Sequence, residues 1–178
     1  HKIQFLEKDY QYRNHVTLHM DAPNKEAPLG YYARDNQTIL PVDHCPITDK
    51  RLQSVFRERR KDGKKERFTF WLSEDGEGIE DDPGKHFKIA LKGRSWWTHS
   101  KGFFQNNLSV TELVLDRLQQ WTRQYEPEIF FDLYSGMGIF GLWAAEGIPK
   151  RVFIEENPFA VASLRRNVPE PMGSVDIL

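Results

Sequence analysis

The stretch DLYSGMGIFG, residues 132 to 141, sets Gly136, Gly138 and Gly141 in a G-x-G-x-x-G spacing, with an acid, Asp132, four residues ahead of the first glycine. Glycines spaced in this way let the backbone turn tightly into a helix, whose unpaired N–H groups and dipole can hold the charged part of a nucleotide-like ligand. Two ligand classes fit such a loop. A dinucleotide would lay its pyrophosphate there, and the strand leading in is then normally apolar to its end. Asp132 departs from that pattern, because a carboxylate aimed into the crevice would repel two phosphates by something on the order of several kcal/mol at low effective dielectric. It suits a cation. S-adenosylmethionine carries a sulfonium and an ammonium and no phosphate, so the acid favours it over a nicotinamide cofactor. The next apolar stretch, RVFIEE, ends in Glu155 and Glu156, the first of them 17 residues after Gly138. A carboxylate there can accept both hydroxyls of an adenosine ribose. Nicotinamide enzymes use the same device, so an NAD-dependent oxidoreductase stays open as an alternative that Asp132 argues against.

These residues need a strand ending at Asp132 and a helix starting at the glycines, and the surrounding pattern supplies both. SVTE, Ser109 to Glu112, reads as a capping box, and Val110, Leu113, Val114, Leu118, Trp121 and Tyr125 follow at helical spacing. A strand EIFFDLY, the glycine loop, a helix GLWAAEG, a strand RVFIEE, a helix NPFAVASLRRN and a strand SVDIL come next in order. That β-α-β-α-β alternation implies a parallel, doubly wound sheet. Before residue 100 the period is two: HVTLHM puts Val16, Leu18 and Met20 on one face and His15, Thr17 and His19 on the other. RFTFWLS and HFKIALKG read similarly, with turn signals KDGKK and DDPGK between them. We divide the chain into a mainly β, α+β domain at 1–98 and a Rossmann-like domain at 99–178.

Charge and cysteine content bound the rest. The 178 residues carry 25 Lys and Arg against 26 Asp and Glu, so any binding to nucleic acid must come from local patches rather than from net charge. The patches are blocks: RERRKDGKKER from Arg57 to Arg67 is basic, EDGEGIEDD from Glu74 to Asp82 is acidic, and Lys85, Lys88, Lys92, Arg94 and Lys101 follow with no acid among them. No apolar run is long enough to span a bilayer and no secretory core opens the sequence, which implies a cytoplasmic protein without a membrane partner. The single cysteine, Cys45, excludes an intrachain disulfide.

YRNHVTLHM, LGYYARDNQTILPVDHCPI, GFFQNN, DLYSGMGIF and IEENPFAVASLRRN stand here in the order in which similar segments occur in the RNA uracil-C5 methyltransferase family, and the resemblance runs from about Tyr12 to Asn167. The most diagnostic part is FFQ-N followed by DLY-G-G-F. The resemblance implies the N-terminal half of a class I, Rossmann-like methyltransferase sheet preceded by a smaller α+β central domain that helps to hold RNA. It also implies S-adenosylmethionine as cofactor. On this resemblance Gln105 contacts the methyl donor, Tyr134 is the aromatic residue before the glycine loop, and Glu155 is the ribose-binding acid. With Asp132, Gly136 and Gly138 these form the expected cofactor site. Ile139 stands where many members have asparagine, and Ser135 where the family usually has a cysteine that is not the nucleophile. Phe104 is expected to pack in the core.

The family's chemistry, as the resemblance implies it, adds a cysteine thiolate to uracil C6, lets the enolate at C5 attack the sulfonium methyl, and removes the C5 proton with a base. In the family that cysteine and a glutamate base lie beyond the third strand. Cys45 is in the other half, so no catalytic residue is assigned, and we expect the chain to be a piece of a longer enzyme, inactive alone, with an unpaired sheet edge at VDIL. Cys45, in DHCPI, is similar to the last ligand of a four-iron, four-sulfur cluster in ribosomal-RNA members. One thiolate does not hold such a cluster, so a 4Fe-4S centre belongs at most to a longer parent. His15, His19 and His44 are not read as metal ligands, since His15 and His19 are only polar-face neighbours on a strand. The expected RNA contacts are Arg13, Arg34, the Arg57 to Arg67 block, and KGRSWWTHSKGFF with Trp96, Trp97 and Phe103, although the tryptophans could equally close a core. Ribosomal RNA, 23S in particular, is favoured over transfer RNA by the CPI cysteine. A non-catalytic RNA-binding module on a degenerate methyltransferase scaffold remains a further alternative.

Overall fold

The computed structural model describes residues 9–20, 27–60, 67–80, 85–169 and 175–178. The KDGKK turn, the DDPG of the second turn and the middle of the Arg57 to Arg67 block lie outside the described residues. The chain divides into two compact units, His1–Asp81 and Asp82–Leu178. That division falls earlier than residue 98, because the hairpin at 86–99 packs with the C-terminal elements.

In the first unit, β1 (His15–His19), β3 (Gly30–Tyr32), β4 (Ile39–Pro41), β6 (Arg67–Leu72) and β7 (Gly78–Glu80) form an antiparallel sheet in the order β4-β3-β1-β6-β7. A short pair, β2 (Ala27–Pro28) and β5 (Arg59–Arg60), stands apart. Val16, Leu18 and Met20 are buried as the alternation requires. β6 departs from alternation: every residue after Arg67 is buried. On its second face, side chains pair with those of the adjacent strand β1: Thr17 Oγ1 and Thr69 Oγ1 are 3.0 Å apart and the His15 ring stacks on Trp71 at 4.0 Å. These are directly opposed residues in the register, and paired side chains of this kind stabilise a sheet. A 3-10 helix, Lys50–Arg57, capped by the Asp49 side chain, buries Leu52, Val55 and Phe56 against the same core.

In the second unit, β8 (His86–Leu91) and β9 (Arg94–His99) make a hairpin whose two turn residues, Lys92 and Gly93, both have positive φ, the geometry that suits the twist of the strands. Then follow α1 (Leu108–Tyr125), β10 (Ile129–Leu133), α2 (Ile139–Ala144), β11 (Lys150–Ile154), α3 (Pro158–Asn167) and β12 (Val175–Ile177). β10, β11 and β12 are parallel and adjacent in that order. The β-α-β-α-β reading of the sequence therefore holds, with strand and helix ends shifted by a residue or two.

Two details of α1 differ from the sequence reading. Its N-cap is Asn107, whose side chain accepts from Val110 N, and Ser109 lies inside the helix. Asparagine is as good a cap as serine, and Glu112 is engaged elsewhere, accepting from Lys92 N. The buried face is also not the long apolar stripe. Thr111, Leu115 and Thr122 are buried, while Val110, Val114, Trp121 and Tyr125 are exposed. Short side chains allow the close seam with α2, where Thr122 Oγ1 donates to Ala144 O at 2.6 Å.

Both α2 and α3 pack on one face of the parallel sheet, that of Asp132 and Phe153. A Cβ at Gly138 would meet Leu164 of α3, Leu142 of α2 and Phe153 of β11 together. The opposite face leaves Ile129, Phe131, Leu133 and Ile154 exposed. β12, which carries VDIL, is one edge of this three-stranded sheet, and β10 is the other.

Candidate cofactor-binding loop

The loop between β10 and α2 is held in shape by backbone that ordinary residues avoid. Tyr134, Gly136 and Gly138 have φ of 59°, 58° and 81°, and glycine adopts this left-handed region without the steric cost that Tyr134 bears. Gly141 sits one turn into α2, where an added Cβ would stand 2.6 Å from Phe153 Cε1 and 3.0 Å from Asp132 Oδ2. The glycines of the motif are thus explained by left-handed backbone at two positions and close packing at the third.

The two acids close the loop from behind. Asp132 is buried, and its Oδ2 accepts from Gly141 N at 2.9 Å. Burial pushes its carboxyl up to about 6; the Gly141 N–H opposes the rise and the neighbouring Glu155 charge adds to it. Glu155 spans the loop mouth: Oε2 accepts from Gly136 N at 2.7 Å and Oε1 from Asn157 N at 2.8 Å. A carboxylate has about four lone-pair sites, so Glu155 keeps room for two further donors such as a ribose diol. Asn157 in turn caps α3 by accepting from Phe159 N.

Gln105, Tyr134 and Gly136 come together on one small cleft of about 60 Å³ that Phe103, Phe104 and Ile139 also line. Tyr134 is 90% exposed, so its ring is available for stacking. Asp132, Gly138 and Glu155 do not line that cleft. Asp132 therefore does not project into the crevice as the sequence reading supposes: it is committed to the helix N-terminus, and any effect on a ligand acts through its field. One contributor had no sequence signature. Asn167, at the end of α3, accepts from Trp97 N at 2.7 Å, while its Nδ2 lies 2.9 Å from Trp97 O and 3.1 Å from Met137 O. It ties β9 and the glycine loop to one helix.

No family model matches the chain. Similar proteins are nevertheless found by sequence. An uncharacterized RNA methyltransferase of Treponema denticola is 25% identical over 160 residues, covering 89% of this chain and 38% of the relative. The 23S rRNA (uracil(1939)-C(5))-methyltransferase RlmD of Pseudomonas fluorescens is 24% identical over 204 residues, 89% of this chain and 45% of the relative. The 23S rRNA (uracil(747)-C(5))-methyltransferase RlmC of Halothiobacillus neapolitanus is 32% identical over 83 residues, 46% of this chain and 22% of the relative. The chain's sequence relatives are thus proteins named as RNA methyltransferases, among them 23S rRNA uracil-C5 methyltransferases. The chain spans half or less of the length of these relatives. Its mixed α/β fold is similar to that of the Pyrococcus abyssi tRNA (uracil-54, C5)-methyltransferase solved with S-adenosyl-L-homocysteine, with a TM-score of 0.70 at 18% identity over 97% of this chain and 56% of that one.

Ile139 is buried at the cleft and offers it an apolar wall where an asparagine would offer a polar contact. Ser135 is buried too, with its N–H bonded to Ile154 O. Phe104 is core, as expected, and Trp96 is buried with its Nε1 donating to Leu91 O, so that tryptophan closes a core. Cys45 is half-buried in the first unit. Burial resists ionisation of its thiol, but hydrogen bonds from Thr48, Tyr31 and nearby backbone N–H groups outweigh that and lower its pKa. His15 is packed on Trp71, and burial with the Arg13 charge pushes it down to about 4. Among the described residues, no three His, Cys, Asp or Glu side chains cluster as metal ligands, and no helix is long and apolar enough to cross a membrane.

Proposed function

We propose that this chain is the cofactor-holding part of an S-adenosylmethionine-dependent enzyme that methylates uracil at C5 in RNA, with 23S rRNA as the substrate. One observation carries the choice of cofactor. In a dinucleotide site N–H groups of the glycine loop and the helix N-terminus face a pyrophosphate, yet here Gly136 N of the loop and Gly141 N of the first turn of α2 donate to Glu155 and Asp132. No lysine or arginine lines the loop cleft either. Two carboxylates and no cation make a poor phosphate site and a good one for a sulfonium and an ammonium. S-adenosylmethionine supplies an electrophilic methyl group. In our reading Glu155 holds its ribose, Tyr134 and the backbone at Gly136 and Gly138 flank it, Gln105 orients its methyl-bearing end, and Asp132 contributes negative potential from behind the loop.

The preference for 23S rRNA follows the names of the sequence relatives RlmD and RlmC. Transfer RNA, the substrate in the structural neighbour's name, is the alternative. We further propose that the three parallel strands are the N-terminal half of a class I methyltransferase sheet, that the nucleophilic cysteine and its base lie outside these residues, and that the chain is inactive alone. Support comes from the partly exposed face: purely parallel sheets are ordinarily covered on both sides, and among the described residues Ile129, Phe131, Leu133 and Ile154 are exposed although Val152 beside them is buried. A cytoplasmic setting and the assignment of the antiparallel unit as an RNA-holding central domain belong to the same proposal.

Titration calorimetry of S-adenosylmethionine and S-adenosylhomocysteine against the chain tests it, with NAD as comparison. Micromolar binding of both that Glu155→Ala weakens by roughly 10- to 100-fold, the loss of hydrogen bonds to a charged acceptor, is the expected result. Binding of NAD in preference to both would overturn the proposal.

A further inference from the structure

We infer that a second, separate cleft in the C-terminal unit binds the phosphodiester backbone of the RNA, an inference that rests on the RNA reading above. The cleft has a volume of about 310 Å³ and shares no residue with the loop cleft. Lys88, Arg94, Arg151 and Arg166 line it, and among the described residues Glu146 is its only acid.

Trp97 organises the cations. Lys88 stands directly opposite it across the hairpin, with Nζ 4.9 Å from the ring centroid, and Arg166 approaches from α3 with Cζ at 5.2 Å. Cation–π contacts of this kind fix the long side chains at a cost in their freedom that a solvated charge would not incur. With both cations against it, Trp97 serves as a mount for charge more than as a stacking platform for a base. Arg94 is held differently: its guanidinium lies 4.8 Å from the Trp143 ring and donates to Glu146 at 3.2 Å. Glu146 therefore offsets Arg94 and, among the described residues, leaves Lys88, Arg151 and Arg166 without an acid in the cleft wall. Some of this charge answers the helix dipole, since Arg166 lies in the last turn of α3. Arg151, at the start of β11, and Lys88, on β8, have no helix end of their own to neutralise.

Three like charges facing one concavity repel one another at moderate dielectric, and an anion that bridges them relieves the repulsion. Phosphate is the anion that RNA offers, and Arg in particular matches its oxygens in pairs. The cleft is also coupled to the cofactor loop, because Asn167, which lines it, bonds Met137 O between the two loop glycines.

The test is fluorescence anisotropy of the full chain with a short labelled, uridine-rich single-stranded RNA over a range of salt, using Lys88→Gln, Arg151→Gln and Arg166→Gln, with Arg123→Gln on the exposed surface of α1 as control. Each cleft substitution is expected to weaken binding several-fold and to reduce the slope of log K against log salt by about one, with Arg123→Gln unchanged. S-adenosylmethionine affinity and the thermal midpoint, measured on the same samples, should not move, which separates lost contacts from lost folding. RNA binding by the parent chain with unaltered slopes in all three variants overturns the cleft and leaves the methyltransferase reading in place. No RNA binding by a parent chain that still takes the cofactor overturns both the cleft and the RNA substrate. Reduced slopes in a chain that fails to bind S-adenosylmethionine support the cleft while the cofactor reading falls.

Discussion

Asp132 offers a prediction whose size follows from its surroundings. Its carboxyl titrates at 3.8 when solvated and at about 6 in the folded protein, where it is buried beside Glu155. Between those two values the folded state holds more protons than the unfolded state. Stability therefore falls as pH rises from about 4 to about 6 and then levels off. A shift of about two units corresponds to roughly 3 kcal/mol of cost carried at neutral pH. Asp132→Asn removes the titration while keeping a side-chain oxygen for Gly141 N. Relative to the parent, the variant should gain about 2–3 kcal/mol of stability between pH 4 and pH 7, the other titrating groups cancelling in the comparison. Urea unfolding followed by tryptophan fluorescence suits this, since four of the five tryptophans (Trp96, Trp97, Trp121 and Trp143) lie in the C-terminal unit. Parallel pH profiles for the two proteins would refute the reasoning, for they would mean that the Gly141 hydrogen bond offsets the desolvation. The cofactor reading adds a second arm. A cationic ligand favours the ionised acid, so S-adenosylmethionine should bind the parent more tightly as pH rises through 6, and the asparagine variant should lack that dependence.

Other expectations are narrower. Gly138→Ala forces a left-handed φ of 81° on a residue with a side chain and drives its Cβ into Leu164, so it should destabilise the C-terminal unit by about 2–4 kcal/mol in thermal unfolding. Asn167→Ala leaves Trp97 N, Trp97 O and Met137 O without partners, and a loss of about 3 kcal/mol is expected, with faster hydrogen exchange at Trp97. His15 is held neutral in the fold, its pKa lowered from 6.5 to about 4. The unfolded chain takes up the proton first as pH falls below 6.5, so the N-terminal unit should lose stability from there towards pH 4, and His15→Phe, which keeps the stack on Trp71, should flatten that loss in pH-dependent unfolding.

The order of elements was legible because two periods, near 3.6 and 2, coexist in the chain and change over near residue 100. Each element needed only its own residues to be read. What the sequence could not supply was direction in space. The stripe on α1 gave the helix but not its buried face, because the neighbour it packs against, α2, presents a seam that accepts threonine and excludes tryptophan. The division of the chain was misplaced for a similar reason: the 86–99 hairpin alternates like the strands before it, and only its packing on α3 assigns it to the later unit. Residue identity and spacing placed the glycine loop between a strand and a helix, as the structure has it. They did not show that Asp132 turns back onto Gly141 N, or that Asn167 reaches Trp97, 70 positions away. Long-range hydrogen bonds to backbone leave no periodic trace.

The backward turn of Asp132 strengthens the distinction between ligands even as it removes the acid from the crevice. Direct repulsion of a phosphate depended on the carboxylate facing it. On the proposed reading the discrimination comes from occupancy: two of the N–H groups near a pyrophosphate position, those of Gly136 and Gly141, already donate to the protein's own acids. A dinucleotide would have to displace Glu155 from Gly136 and Asp132 from Gly141, leaving two carboxylates partly unpaired beside two new negative charges, each loss costing about 1–3 kcal/mol before any repulsion is counted. A ribose diol asks for nothing to move, since Glu155 can take two donors while keeping the two it has. On the proposed reading, the loop takes a ligand that brings donors and positive charge, and anionic chemistry falls to the proposed cleft around Trp97.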